Sequence, residues 1–320
     1  MTAIPPSLPT LAPGRYLAEQ SQRWQCLLCL KPVEIRWSAN RPTTEMTGRR
    51  APRAGVTRLA PMSISSLRRR AGKPLILVHG LGSSRNAWSL NTLALARHRE
   101  IVLPDLPGHG SSPAEPDSGT FAGLVRSFEN WLDSEGLTGS DMVGSSMGAR
   151  LVLEMARRGK SGAVVAFDPG GFWAGWERSY VSSTLTASGV LLRSLRGALP
   201  VLARNAASRS MLLAQLAARP WDIDGNFVAK ELVSIATTRT FDSLVKDLAF
   251  GPPQIGPSAP GTGPIAIGWG RHDRLCFPSQ AQRAQAAFPE ARLVCFDHSG
   301  HFPMWEEPEK AVRLILDIVD

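Results

Sequence analysis

Two adjacent serines lie in the segment DMVGSSMGARL, residues 141–151, where a short apolar run meets the start of a helical pattern. In the pattern G-x-S-x-G, glycines two positions before and two positions after a serine allow the chain to turn sharply from a strand into a helix. Ser146 has Gly144 and Gly148 at these positions, whereas Ser145 has neither glycine. The spacing therefore predicts that Ser146 is a nucleophile, against the alternative of a glycine-lined turn with two solvated serines.

A serine hydroxyl becomes a good nucleophile only when a neighbouring base accepts its proton. Among the six histidines, His301 follows the predicted strand RLVCFD and precedes the last predicted helix, in DHSGHFPMWEEPE. A carboxylate must orient this base. Asp273, in GWGRHDRL, is the first choice because the chain order Ser, Asp, His is then kept. Asp168, at the end of the predicted strand VVAFD, is the alternative acid.

The tetrahedral intermediate of acyl transfer carries an oxyanion, which needs two N–H donors held in place before the reaction begins. Met147 directly follows the predicted nucleophile, so its backbone N–H is one candidate. The second donor is expected from the loop HGLGSS after the first buried strand, where Leu81 is the candidate. The sequence thus predicts an oxyanion hole formed by Leu81 and Met147.

Short apolar runs that end in Gly- or Asp-containing turns recur along the chain and predict buried parallel strands. Amphipathic helical patterns separate them, and this alternation predicts an α/β fold whose mostly parallel sheet carries helices on both faces. The runs are PLILVHG (74–80), REIVLPD (99–105), SDMVGSS (140–146), GAVVAFD (162–168), PIAIGWG (264–270) and ARLVCFD (291–297).

The chain divides into three predicted regions. Residues 1–73 form a basic Pro/Arg-rich N-terminal extension, predicted to be poorly ordered, whose single C-x-x-C (Cys26 to Cys29) lacks the further ligands that zinc needs. Residues 74–171 and 262–320 form the α/β core. Residues 172–261 show no strand pattern and are predicted to be a helical insertion that caps the carboxyl edge of the sheet, where ligands bind in such folds.

The formal net charge of +9 could indicate a nucleic-acid or membrane partner. However, residues 1–73 hold 13 Lys or Arg against three Glu, and the other 247 residues carry 23 basic and 24 acidic side chains. The near-neutral body argues against nucleic-acid binding. Between Arg178 and Trp221 the predicted cap carries six Arg and no acidic residue, which could face anionic substrates or a membrane; such a run is more often a solvated face, so membrane contact is not expected. We find neither a secretory signal pattern nor an apolar stretch of membrane-spanning length, so the sequence predicts a cytoplasmic protein and leaves its oligomeric state open.

Aromatic residues stand at the entrance of the predicted cap, in DPGGFWAGWERSY. Phe172, Trp173 and Trp176 are therefore candidate substrate-binding residues, which favours an apolar acyl or aryl group. The alternative is that these side chains anchor the inserted segment on the core, since large aromatic residues also dominate core packing.

Five segments in order, VHGLGSS, DLPGHGSS, GSSMG, GWGRHDRL and SGHFPMWEEP, resemble the motifs of the α/β-hydrolase family. The resemblance covers residues 74–320. It implies an eight-stranded sheet, a helical cap, no metal and no dissociable cofactor. A serine at the elbow distinguishes this chain from sequences that resemble haloalkane dehalogenases and epoxide hydrolases, which use aspartate there.

These observations predict a serine hydrolase, carboxylesterase-like, that acts on small to medium apolar esters through an acyl-enzyme. A C–C bond hydrolase and an enzyme similar to the cofactor-free haloperoxidases or perhydrolases would use the same residues, so both stay open as alternatives. A further alternative is a binding protein that has the fold without the activity.

Overall fold

A computed structural model of the chain describes residues 64–69 and 72–320. Within these residues seven strands form one sheet in the order β1-β3-β2-β4-β5-β6-β7, and only β1 runs antiparallel to its neighbour. This confirms the predicted mostly parallel sheet. The strands are β1 Ser66–Arg69, β2 Pro74–Val78, β3 Glu100–Pro104, β4 Asp141–Ser145, β5 Val164–Phe167, β6 Ile265–Gly270 and β7 Arg292–Phe296.

The edge strand β1 belongs to residues 1–73, the predicted extension, and pairs along its length with residues 101–104 of β3. The folded core therefore begins before residue 74, which corrects the predicted boundary. The strand SLRR shows no apolar alternation. An edge strand does not need it when backbone hydrogen bonds to a single neighbouring strand hold it in place. The resemblance implied eight strands, and seven lie in the described residues; Cys26, Cys29 and most of the extension lie outside them.

Helices cover both faces of the sheet, as predicted. No helix of the described ranges combines the length and the apolar composition needed to cross a bilayer. The α-helices are α1 Ser89–Leu95, α2 Phe121–Ser134, α3 Met147–Arg157, α4 Glu177–Ser194, α5 Leu199–Arg204, α6 Ala206–Leu212, α7 Gly225–Thr237, α8 Phe241–Phe250, α9 Ser279–Ala287, α10 Pro303–Glu306 and α11 Pro308–Val319, with 3₁₀ turns at Arg85–Trp88 and Pro220–Asp222.

The central strands bury side chains on both faces, which explains their continuous apolar runs. In β2, Ile76 and Val78 face a core shared with α2, α3 and α9, whereas Leu75 and Leu77 face a core shared with α1 and α11. Successive side chains of a strand point to opposite faces, so each strand contributes to both cores. The sheet is thereby fixed from two sides, and the loops at its carboxyl edge have a rigid base.

The segment between β5 and β6 holds α4 to α8 and contains no strand, in agreement with the helical pattern predicted for residues 172–261. Helix α4 packs against α7 and α8, and α5 packs against α7. We refer to residues 172–261 as the inserted segment.

A buried ion pair stabilises the amino edge of the sheet. Arg99 and Asp141 are both almost fully buried and form a direct side-chain ion pair. The Arg99 guanidinium also donates to the carbonyl of Val319 at 2.6 Å, and the Ala163 N–H donates to the carboxylate at 2.8 Å. Burial opposes ionisation, but hydrogen bonds from Arg99, Lys73 and the backbone outweigh it, so the pKa of Asp141 lies below its usual value.

We expect Arg99→Ala to lower the free energy of unfolding by about 3 kcal/mol or more, because it leaves a buried carboxylate with the exposed Lys73 as its only charged partner in the described residues. Urea unfolding followed by circular dichroism measures the change. Arg126→Ala is the control, since it removes an exposed pair with Asp117 and should cost no more than about 1 kcal/mol. Equal losses in the two variants would contradict this account.

Candidate active site

Ser146 lies at a sharp turn between β4 and α3, where φ is 56° and ψ is −114°. The strand and the helix approach each other so closely that a Cβ at Gly144 would lie 2.3 Å from the carbonyl oxygen of Gly148. A Cβ at Gly148 would lie 2.4 Å from the carbonyl oxygen of His79. The two glycines of the pattern are thus required by close backbone contact, and they frame Ser146. Ser145 is the last residue of β4 and is fully buried.

The structure brings Ser146, His301 and Asp273 together. Ser146 Oγ lies 2.8 Å from His301 Nε2, and His301 Nδ1 lies 2.7 Å from Asp273 Oδ2. Because a carboxylate only accepts hydrogen bonds, Nδ1 carries the proton and donates to Asp273, while Nε2 is free to accept from the serine hydroxyl. His301 and Asp273 are almost fully buried, so the pair is shielded from water.

Loops at the carboxyl edge of the sheet position Asp273 and His301. Asp273 follows β6, and its Oδ1 accepts hydrogen bonds from the N–H groups of Leu275 and Cys276 at 2.7 and 2.9 Å. His301 lies between β7 and α10, and its own N–H donates to the carbonyl of Leu216 in the inserted segment at 2.8 Å. Both side chains are therefore held by backbone contacts as well as by each other.

Asp168, the alternative acid, lies at the end of β5 and is fully buried. Its Oδ1 accepts a hydrogen bond from the Gly270 N–H at 2.9 Å, and the His301 imidazole pairs with Asp273 instead. Burial, together with the nearby negative charge of Asp273, raises the pKa of Asp168 well above its usual value. A protonated, neutral Asp168 is the form that this shift favours.

The two predicted oxyanion donors belong to residues that line the same cavity as Ser146. Met147 is the first residue of α3, and Leu81 lies in the loop after β2. Across the described residues, neither backbone N–H has a hydrogen-bond partner, so both remain able to donate. The loop lies close to Ser146: a Cβ at Gly80 would be 3.2 Å from the Cβ of Ser146.

His79 fixes the start of this loop. Its Nδ1–H donates to the Gly80 carbonyl at 2.8 Å, and its Nε2 accepts from the Leu106 N–H at 3.0 Å. Burial lowers the pKa of His79, so the imidazole stays neutral and keeps one donor and one acceptor. His79 therefore orients the loop by hydrogen bonding and does not contact the serine hydroxyl.

A cavity of about 240 Å³ opens over Ser146 and His301. Its lining is mostly apolar, and the inserted segment supplies much of it, including Val181, Leu185, Leu191, Met211, Leu232 and Ile235. No Lys or Arg lines it among the described residues, and its charged or titratable side chains are those of Glu231 and His301. Glu231 is not among the site residues predicted from the sequence, where its signal is a single acidic residue in the otherwise apolar face of FVAKELVSI.

Of the three aromatic residues predicted to bind substrate, only Trp173 lines the cavity. Phe172 is buried in the core, and its carbonyl accepts a hydrogen bond from Arg283. Trp176 is 66% exposed and packs against Tyr180 and Phe277 on the outer side of the inserted segment. Neither of these two residues borders the cavity, so the structure differs from the prediction at both.

Asp273, Cys276 and His301 place ligand-type atoms within 4.8 Å of one another, the one such group found in the described residues. Both oxygens of Asp273 already accept hydrogen bonds, one of them from His301. Burial raises the pKa of the Cys276 thiol well above its usual value. The donor set therefore fits a hydrogen-bonded triad better than a metal site.

Comparisons with known proteins agree with this architecture. The chain is 27% identical over 251 residues to the dihydrolipoyllysine-residue acetyltransferase component of the acetoin cleaving system of Pseudomonas putida, which covers 77% of this chain but only 63% of that protein. It is 26% identical over 267 residues to the 2-hydroxy-6-oxo-6-phenylhexa-2,4-dienoate hydrolase of Burkholderia cepacia, covering 78% of this chain and 88% of that one.

Among solved structures, a thermophilic esterase from Thermogutta terrifontis matches with a TM-score of 0.63 at 17% identity, over 82% of this chain and 95% of that chain. At this identity the likeness establishes the fold alone. The profile of the alpha/beta hydrolase family matches residues 75–314, which is most of the chain. The chain belongs to the alpha/beta hydrolase family.

Proposed function

We propose that the protein is a serine hydrolase that cleaves neutral, apolar carboxylic esters through an acyl-enzyme. The observation that carries this proposal is the continuous hydrogen-bond path from Asp273 through His301 to Ser146, which ends at an apolar cavity. Such a path is the arrangement that activates a serine hydroxyl.

In the proposed reaction, Ser146 Oγ attacks the carbonyl carbon of the ester while its proton passes to His301 Nε2. The resulting oxyanion accepts hydrogen bonds from the N–H groups of Leu81 and Met147. The bond to the alcohol then breaks, and His301 returns the proton to the leaving oxygen. Water attacks the acyl-enzyme by the same proton path, which releases the acid and restores Ser146.

The inserted segment supports a role as a cap over this reaction. Its side chains from α4, α6 and α7 form much of the apolar wall that faces Ser146, and its Leu216 carbonyl holds the His301 backbone. Excluding water from the cavity strengthens the electrostatic interactions within it. We propose that residues 172–261 act as a cap domain in this sense.

The cavity lining supports a neutral substrate. A carboxylate buried among apolar side chains without a cationic partner would lose its hydration uncompensated. A C–C bond hydrolase acting on a dienoate, as the name of the Burkholderia cepacia relative states, must accept such a carboxylate. Because no Lys or Arg lines this cavity in the part of the chain that the structure describes, ester hydrolysis is the better supported activity.

We expect Ser146→Ala to lower kcat for a p-nitrophenyl ester by at least about 10⁴-fold, because it removes the nucleophile. Release of p-nitrophenol measures the rate. Ser145→Ala is the matched control, since it changes the neighbouring serine, whose hydroxyl has no partner in the described residues, and it should retain most of the activity. An active Ser146→Ala variant would refute the proposed mechanism.

A second pair of variants tests which of the two candidate acids, Asp273 or Asp168, orients His301. Asp273→Asn should lower kcat by about 10⁴-fold, because an amide no longer favours the required imidazole tautomer. Asp168→Asn should have a far smaller effect, since Asn resembles a protonated Asp and Oδ1 can still accept from Gly270. Steady-state kinetics with thermal unfolding curves tests both, and equal losses in kcat would show that the roles are assigned wrongly.

Substrate charge is tested with two esters of matched length, p-nitrophenyl valerate and the p-nitrophenyl monoester of glutaric acid. The second replaces a terminal methyl group with a carboxylate. We expect kcat/KM to favour the neutral ester by at least about 100-fold, equivalent to about 2.7 kcal/mol, because the cavity offers the anion no cationic partner. Equal or faster turnover of the anionic ester would favour the C–C hydrolase alternative instead.

A further inference from the structure

We infer that Glu231 is a positioning residue that holds the oxyanion loop, residues 79–86, and thereby the Leu81 N–H, in the geometry needed for catalysis. This inference rests on the proposed function, since it assigns a role within the same site. Glu231 belongs to α7 of the inserted segment, and its carboxylate contacts the loop at Ser83 and Asn86.

The Glu231 carboxylate bridges two positions of the loop. Oε2 accepts a hydrogen bond from Ser83 Oγ at 2.5 Å, and Oε1 accepts from Asn86 Nδ2 at 2.8 Å. Glu231 is 2% exposed, so water does not compete for these bonds. Two bonds from one planar group restrain both the distance and the orientation of the loop relative to α7.

Contacts beside Glu231 strengthen this attachment. Thr238, which directly follows α7, has its Oγ1 3.2 Å from the Gly82 carbonyl oxygen, and its hydroxyl hydrogen is shared between this carbonyl and that of Ser234 at 2.9 Å. Gly82 adopts φ +74°, and a Cβ there would lie 3.1 Å from both Ile235 and the Phe241 ring. The loop is therefore pressed against α7 and the start of α8 over several consecutive residues.

The loop is thus fixed from two sides. His79 holds its first residues to the core through Gly80 and Leu106, and Glu231 holds its later residues to the inserted segment. Leu81 lies between these two attachments. One correctly placed oxyanion donor contributes about 10²–10³ in kcat. The attachment through Glu231 therefore affects kcat, because it helps to place the Leu81 N–H.

Burying a carboxyl group at position 231 has a desolvation cost. Burial raises the pKa of Glu231, against the opposing effect of the hydrogen bonds from Ser83 and Asn86. Leu232 and Ile235 of the same helix line the cavity, so an apolar side chain would suit these surroundings at a lower desolvation cost. What the carboxyl group adds is directional hydrogen bonding to the loop.

The test compares Glu231→Leu, Glu231→Gln and the control Lys230→Leu, which changes an exposed residue of the same helix. With p-nitrophenyl valerate, Glu231→Leu should lower kcat by about 10–100-fold with little change in KM, because a misplaced donor weakens only transition-state binding. Glu231→Gln should recover most of kcat, since its oxygen can accept from Asn86 and its amide can donate to Ser83. Lys230→Leu should match the wild type.

Three results would each overturn the inference. They are an unchanged kcat in Glu231→Leu, an increase in KM with no change in kcat, and a kcat of Glu231→Gln as low as that of Glu231→Leu. Thermal unfolding curves show whether Glu231→Leu folds. If it does not, Ser83→Ala removes one of the two bonds with a smaller change, and it should lower kcat by about three- to tenfold at unchanged KM. Full activity of Ser83→Ala would then count against the role of Glu231.

The rate of Ser146 labelling by a fluorophosphonate separates this inference from the proposed function. The labelling reaction needs the nucleophile and the oxyanion donors but no particular ester, and mass spectrometry measures it. If the wild type is labelled but cleaves no ester, the substrate proposal fails, and slower labelling of Glu231→Leu still supports the inference while equal labelling overturns it. If the wild type is not labelled, both proposals fail.

Discussion

The backbone turn at Ser146 is the constraint on which the candidate site depends. A non-glycine residue with φ of 56° is strained by an amount of order 1–3 kcal/mol, and it persists only where its surroundings leave no alternative. Here β4 is paired with β2 and β5, and the Ser146 N–H donates to the Phe167 carbonyl at 2.9 Å. Because the turn cannot relax without separating α3 from the sheet, the hydroxyl has a fixed place and the other loops are arranged around it.

Features with a local signal could be predicted from the sequence. The two glycines and the serine of the turn lie within five residues, and the buried strands appear as apolar runs because both of their faces are covered. His301 lies 155 residues from Ser146 and 28 residues from Asp273, yet both could be assigned. Parallel strands bring their carboxyl ends to one edge of the sheet, so residues just after the strands are neighbours in space.

Features that depend on distant packing could not be predicted. The strand β1 is short, lies at an edge and has no apolar alternation, so it resembles the rest of a basic extension. Phe172 and Trp176 are near Trp173 in sequence, but the path of the chain into α4 directs one ring to the core and the other to solvent. Glu231 and Ser83 are 148 residues apart in the sequence, and neither local sequence indicates that their side chains are in contact.

The inserted segment therefore contributes to the site in two ways that cannot be varied independently. Leu232 and Ile235 of α7 line the cavity, while Glu231 and the adjacent Thr238 bind the oxyanion loop. The close-packed interior transmits a change of volume at one position to its neighbours. A larger side chain at Leu232 or Ile235 would shift α7 and with it the loop, so that the shape of the accepted substrate and the placement of the Leu81 N–H change together. In the proposed mechanism, substrate selection and oxyanion stabilisation would both depend on α7.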